Sequence, residues 1–350
     1  MLGDETEPGQ RNIVALLRAF PDVARKALGL RSLGQRVTEV IGGRGTHPVS
    51  AVAGGLSAPL SKARLETLAK LAEEALPLAL SLFETARDAV LSREDLLFSL
   101  PLETHYLGTV KDGALDLYDG ELCLRAPDGS TVEFPEDDWM KYLQESTTSN
   151  SYAKPVSFVA GDGTLLPFRV GALARLNCAD RIDTPLADGE LQRFRELGGF
   201  PCHQTVMYHY ARLIELLHAT EKLAQIAKDP EIASDQVRAL ERQAPRRACA
   251  HVEAPRGVLI HDYDVDANGI VTSANLIVAT QQNIGSINRT IGLSAERYLA
   301  DSDEALLNGV EFGIRCYDPC LSCATHRLGE MKLEVAVRHQ GVLVREARRS

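Results

Sequence analysis

Asp318-Pro319-Cys320-Leu321-Ser322-Cys323-Ala324-Thr325-His326 holds the densest chemistry in the chain. Two thiols and an imidazole fall within seven residues. Thiolates two residues apart can turn back on one metal ion from the same side, and the histidine can bind that ion or a neighbour. Three other chemistries compete for the pattern. Half of a zinc site requires a second ligand pair, and the sequence holds no other Cys-x-x-Cys. A thioredoxin-like redox pair requires a strand before it and a long helix after it, whereas 24 residues follow His326. Haem attachment requires a histidine directly after the second cysteine, where Ala324 stands. A metal site is favoured over a redox pair or coincidence, and it must borrow thiolates from elsewhere.

Around this motif lie 350 residues with a formal net charge of −10. That length suits two or three structural units or one large domain. The acidity argues against nucleic acid as a partner, because phosphate binding needs a basic face. The longest apolar run, Ala75 to Phe83, is too short to span a bilayer and is flanked by Glu74 and Glu84. The first twenty residues carry no basic start followed by an apolar stretch, so no secretory signal is read there. Seven cysteines, an odd number, fit a reducing, cytoplasmic setting better than a disulfide scaffold.

Working outward, the hydrophobic period changes along the chain. Residues 1–101 read as helical. Arg11 to Phe20 is amphipathic, Ser61 is placed to cap a long helix to Leu91, and Pro77 is expected to kink or divide it. Between these, Ile41 to Pro59 is a glycine-rich structured loop. Residues 102–170 form a strand-rich segment punctuated by Asp112-Gly113, Asp119-Gly120 and Asp128-Gly129. Helix returns after Gly171, most strongly over Val206 to Lys228 before Asp229-Pro230. Residues 251–283 read as two strands around Asp266-Ala267-Asn268-Gly269. Met331 to Glu346 reads as a hairpin about Gln340-Gly341. The expected division is 1–101, 102–170, 171–326 and a tail at 327–350.

With these segments in place, the chain resembles the large subunit of nickel–iron hydrogenases. Asp-Pro-Cys-x-x-Cys-x-x-His matches that family in every fixed position. Further matches follow in order: Gly42-Gly43-Arg44-Gly45-Thr46-His47-Pro48 with Gly54-Gly55; Ser151-Tyr152-Ala153-Lys154; Gly171 to Asn177; Tyr208-His209-Tyr210-Ala211-Arg212; Glu253-Ala254-Pro255-Arg256-Gly257-Val258-Leu259-Ile260-His261; and a strand Ala274 to Thr280 with Asn283. The wording around Cys320 resembles the cytosolic bidirectional branch, which couples hydrogen to NAD(P) or a deazaflavin. The fold so implied is α+β and mainly helical, a hydrogenase large-subunit-like helical core with an inserted antiparallel β-rich segment.

The resemblance assigns roles. Cys320 is expected as a terminal nickel ligand and Cys323 as a bridge between nickel and iron. The iron carries cyanide and carbon monoxide, a Ni-Fe(CN)2(CO) centre. His326 is expected to bind Mg2+, with the backbone carbonyl near Leu276 as its companion. Arg256 is expected above the open face of the metal pair, held by Asp318, either polarising hydrogen or serving as base. A base role requires a strongly altered site, since guanidinium is too weak an acid. Thr280 and the amide near Arg256 are candidate donors to cyanide, Leu259 an apolar wall for carbon monoxide, and His47 a neighbour of the thiolates. Cys316, four residues before Cys320, is expected to be a buried bystander, and Cys123, Cys178, Cys202 and Cys249 core or surface thiols.

The same resemblance makes a demand that the sequence does not meet. The family draws its other two thiolates from an N-terminal Arg-x-Cys-Gly-x-Cys segment, and no such stretch occurs here. A magnesium-binding and a proton-gating glutamate of that region are likewise missing. A fragment or misplaced start is the expectation, and two thiolates alone are not expected to build an active centre. The partners implied are an iron–sulfur small subunit, diaphorase-type flavin/NAD(P) subunits, and a maturation endopeptidase that removes the tail after His326. The rival expectation is a metal-free hydrogenase-like scaffold subunit related to respiratory complex I.

Overall fold

The computed structural model describes residues 13–149, 153–239, 246–320 and 333–349. Helices dominate, and small, mostly antiparallel sheets are set among them. At the amino-terminal side, α1 (Ile13–Ala19) and α2 (Pro21–Gly42) lead into a glycine-rich loop. The loop contains a minimal hairpin of β1 (Ala51–Val52) and β2 (Gly55–Leu56). Helix α3 (Lys62–Leu91) follows, with the Ser61 side chain accepting from the Arg64 amide at its start.

Pro77 does not divide α3, one of the two outcomes expected from sequence. Proline removes one hydrogen bond, here to the carbonyl four residues earlier, at Glu73. Pro77, Glu73 and Glu74 are all exposed, so water can satisfy that carbonyl. Meanwhile Leu71, Ala72, Ala75, Ala79 and Phe83 are buried on the opposite side. The packed face outweighs the local defect.

After α4 (Glu94–Leu97) the chain changes period. Strands β3 (His105–Lys111), β4 (Ala114–Leu115), β5 (Glu121–Arg125) and β6 (Thr131–Phe134) form antiparallel pairs. A short helix, α5 (Trp139–Tyr142), leads into β7 (Leu143–Glu145), which pairs with β8 (Val156–Val159), and β8 with β9 (Leu165–Leu166). Strand β10 (Phe168–Arg169) then joins β3 in parallel. All three Asp-Gly turns have glycine at positive φ, at Gly113, Gly120 and Gly129.

The helical centre comprises α6 (Ala172–Cys178), α7 (Pro185–Gly198) and α8 (Tyr208–Ile226). Helix α6 is buried along its whole length. It packs with Tyr106, Leu191, Phe194, Tyr210 and Ile214 into the largest described core. One turn earlier than α8 the chain is 3-10 helical, Thr205–Met207.

Residues 251–283 depart from the two-strand expectation. Three strands, β11 (Arg247–Ala254), β12 (Gly257–Val265) and β13 (Val271–Ile277), form one antiparallel sheet. Helix α9 (Ala279–Arg297) begins directly after it. Thr280 and Asn283 are therefore helical, not strand residues. The Gln281 side chain accepts the Val278 amide, and Asn283 is drawn inward by Val170. Helix α10 (Asp303–Cys316) ends at the cysteine motif. The hairpin of β14 (Leu333–His339) and β15 (Val342–Arg349) turns at Gln340-Gly341, both at positive φ, as the sequence indicated.

Candidate metal centre

Three elements deliver the candidate site. The first is the β11–β12 hairpin, where Ala254 pairs with Gly257 and Pro255-Arg256 form the two-residue tip. This tip sits on the segment that leads into α6. A Cβ on Gly171 would lie 2.8 Å from the Arg256 carbonyl oxygen, and one on Gly257 would lie 2.4 Å from a Val170 methyl. Both glycines have positive φ, so neither position tolerates a side chain.

The second element is the end of α10. Its last carbonyl, from Cys316, accepts Arg212 Nη1 at 2.9 Å. A guanidinium at a helix C-terminus satisfies an orphan carbonyl and complements the helix dipole. Arg212 Nη2 also lies 2.9 Å from His209 Nδ1. Burial, then Arg212 and Arg315, push His209 down to about 3, so the ring is neutral and Nδ1 is the acceptor. Tyr317 is buried, and its hydroxyl meets Thr290 Oγ1 at 2.8 Å and donates to the Ser286 carbonyl at 3.3 Å. Asp318 then takes φ 51°, a left-handed turn that swings the chain out of the helix.

The third element is the first turn of α9. Thr280 Oγ1 accepts the Cys320 amide at 3.4 Å. The buried face of α9 holds the surroundings in place. Gln282 donates to the Val258 carbonyl at 2.6 Å, Asn283 bonds both backbone groups of Val170, and Ser286 donates to the Phe168 carbonyl.

Arg256 and Asp318 meet where these elements converge. Arg256 Nε donates to the Asp318 carbonyl at 2.5 Å and lies 3.2 Å from its carboxylate, while Nη2 reaches the other carboxylate oxygen at 3.5 Å. The pair is partly exposed, with side-chain accessibilities of 32% and 48%. Its value lies in orientation more than in stability.

The thiols divide by environment. Cys320 is exposed. Cys316 is fully buried, its Sγ donating to the Phe312 carbonyl, and burial pushes its thiol up to about 12. Burial likewise raises Cys202 to about 11 and Cys178 well above the usual thiol value. Half-buried Cys249 is raised to about 11, by burial and then by Asp262. Such thiols stay protonated and are poor metal ligands, because the thiolate is the ligating form. An exposed cysteine beside a guanidinium-bearing turn is the donor type that a soft metal requires.

Other expected site residues are less closely joined. Leu259 is half-buried in β12, opposite Val252. Leu276 lies in edge strand β13, opposite His261, and its side chain is 43% exposed. His47 lies exposed in the turn after α2 at φ 52°, and no described hydrogen bond ties it to Arg256, Asp318 or Cys320. Cys323 and His326, and the bond expected to be cut after His326, lie outside the described residues. Among the described residues no group of three or more His, Cys, Asp or Glu side chains converges on a metal position. Sequence reading gave no role to Arg175, Gln282 and Asn283. Their signal was a buried polar face, which hydrophobic periodicity does not register.

Exposed Cys320 thus follows the Arg256–Asp318 pair by two residues, where the ends of α10, α9 and the β11–β12 hairpin meet. No family model matches the chain. It is 37% identical over 298 residues to the corresponding component of the vhu F420-non-reducing hydrogenase of Methanocaldococcus jannaschii, covering 85% of this chain and 71% of that one. It is 35% identical over 360 residues to the beta component of the NAD-reducing hydrogenase HoxS of Cupriavidus necator, covering 96% and 72%. The crystal structure of an NAD+-reducing [NiFe]-hydrogenase in the H2-reduced state superimposes with a TM-score of 0.85 at 33% identity, covering 93% of this chain and 74% of that one. The chain belongs to the large-subunit family of nickel–iron hydrogenases.

Proposed function

We propose that this chain is the catalytic large subunit of a nickel–iron hydrogenase, and that it splits hydrogen reversibly into protons and electrons. One observation carries this reading: Arg256 and Asp318 are locked together two residues before exposed Cys320. Cys320 and Cys323 would hold nickel, and Cys323 would also hold iron. The bound Ni-Fe(CN)2(CO) centre would supply the heterolytic and redox chemistry.

The chain's own groups do the rest. Arg256 contributes N–H donors held in a fixed direction by Asp318. Asp318 holds it by charge-assisted bonds. Thr280 spends its oxygen on the Cys320 amide, fixing the start of the ligand loop. With the metal bound, Leu259 would supply an apolar wall and His47 a polar neighbour, and His326 with the Leu276 carbonyl would take Mg2+. Electrons would leave through a separate iron–sulfur subunit, then through a diaphorase-type partner, in the cytoplasm. The tail at 327–350 would be removed by an endopeptidase once metal is loaded.

The 350 residues hold one Cys-x-x-Cys, so the second thiolate pair must come from outside them. The test is metal analysis of the protein purified from its native cells with its associated subunits. About one nickel and one iron per chain, with hydrogen-dependent dye reduction, are expected. Nickel far below one per chain sinks the proposal.

A further inference from the structure

Arg256 sits at a two-residue tip, and what holds that tip lies beneath it. Arg175 of α6 has a side chain only 2% exposed, and it uses all five of its N–H donors. Nε and Nη2 grip the Glu215 carboxylate at 2.5 and 2.8 Å. Nη1 reaches Glu253 at 2.7 Å and the Ala254 carbonyl at 3.0 Å. The second Nη2 donor reaches the Pro255 carbonyl at 3.1 Å. Those carbonyls belong to the two peptide units immediately before Arg256. Glu253 is itself fixed, since its other oxygen accepts the Thr109 amide at 2.9 Å and the Thr109 hydroxyl at 3.2 Å.

We propose that Arg175 is a positioning residue for the reaction: by clamping the Ala254 and Pro255 carbonyls it sets where the Arg256 guanidinium meets Asp318. This rests on the reading of Arg256 as the group that faces the reacting centre. The geometry calls for arginine specifically. A planar fork can serve two carboxylates and two carbonyls at once, whereas a lysine ammonium offers three donors about one point. Charge alone is therefore not the function, and Arg175→Lys separates charge from placement.

Two readouts on the native complex test this. In Arg175→Lys, kcat should fall at least ~30-fold, since misplacement by an ångström costs about that or more. KM for hydrogen and nickel per chain should stay at their parental values. In parallel, hydrogen exchange of the full chain should show residues 252–258 losing protection at least ~10-fold, with peptides from α8 and α10 unchanged. Turnover within twofold of the parent overturns the proposal. So does a uniform loss of protection across β12, α8 and α10, or a loss of nickel in step with activity, either of which makes Arg175 a folding residue only. If the parent never loads nickel, the hydrogenase reading fails by itself. The exchange pattern then still decides whether Arg175 holds the tip.

Discussion

Cys316 and Cys320 lie four residues apart under opposite conditions. One is sealed at the end of α10, its thiol pushed up to about 12 by burial. The other is exposed one turn further on. Alkylation of the metal-free chain at pH 7.5 should therefore modify Cys320 at least ~10²-fold faster than Cys316, Cys202 or Cys178, as read by peptide mass spectrometry. Comparable rates at Cys316 would contradict the packing described. A second side chain ties helix α5 to the β11–β12 pair. Asp262 accepts the Trp139 indole N–H at 2.9 Å and two bonds from Arg247. Arg247 holds its carboxyl below the usual range, against the opposing effect of burial. A depressed folded-state pKa stabilises the fold above the ordinary carboxylate pKa, and that contribution is lost as pH falls through the lowered value. Asp262→Ala should cost about 1–3 kcal/mol at pH 7, because the buried indole N–H loses its partner. Urea midpoints of parent and variant should then converge as pH drops below the carboxylate range. A gap that persists unchanged at low pH would rule out the ionised carboxylate as its source.

Among the elements, α3 shows what periodicity can and cannot reveal. Ser61 and the buried leucines and alanines were legible because capping and 3.6-residue spacing are written in residue types. The effect of Pro77 was not legible, because it depends on which way the freed carbonyl faces. Pro77 is exposed, so its cost is borne in water rather than in the core. Pro77→Ala should then stabilise the chain by about 2 kcal/mol, the helix-propensity gain less the flexibility returned to the unfolded state. A thermal midpoint that falls instead would mean that the proline ring packs against a neighbour. The ends of α9 and β13 show the same limit. The resemblance puts a strand over Ala274 to Thr280, yet the strand stops at Ile277. Gln281 and Asn283 take backbone partners at Val278 and Val170 that local sequence does not name. The candidate site was legible where it consists of a contiguous motif, Asp318 to Cys320. It was illegible where distant polar groups, such as Arg175 and Arg212, act on backbone carbonyls.

For the whole molecule, the question is what the carboxyl-terminal hairpin does to the body that it covers. Ala347 is 1% exposed and joins Leu306, Leu307 and Val310 of α10 in a small separate core. Arg345 holds the Leu299 and Asp301 carbonyls together with Asp303. Arg349 reaches Asn308 at 2.8 Å and Glu311 at 2.7 Å, where both side chains of the ion pair are about nine-tenths buried. Breaking a buried pair by removing one partner is costly, so the hairpin does not detach freely. Its release would uncover the outer face of the helix that ends at Cys316. Chain cut after His326 should lose about 3 kcal/mol or more of stability, the equivalent of re-exposing one or two large apolar side chains. It should also bind an apolar dye that the intact chain excludes. Adding the iron–sulfur subunit should suppress the dye signal if that subunit covers the same face. Equal midpoints for cut and intact chains, with no dye binding, would show that the hairpin merely rests on α10.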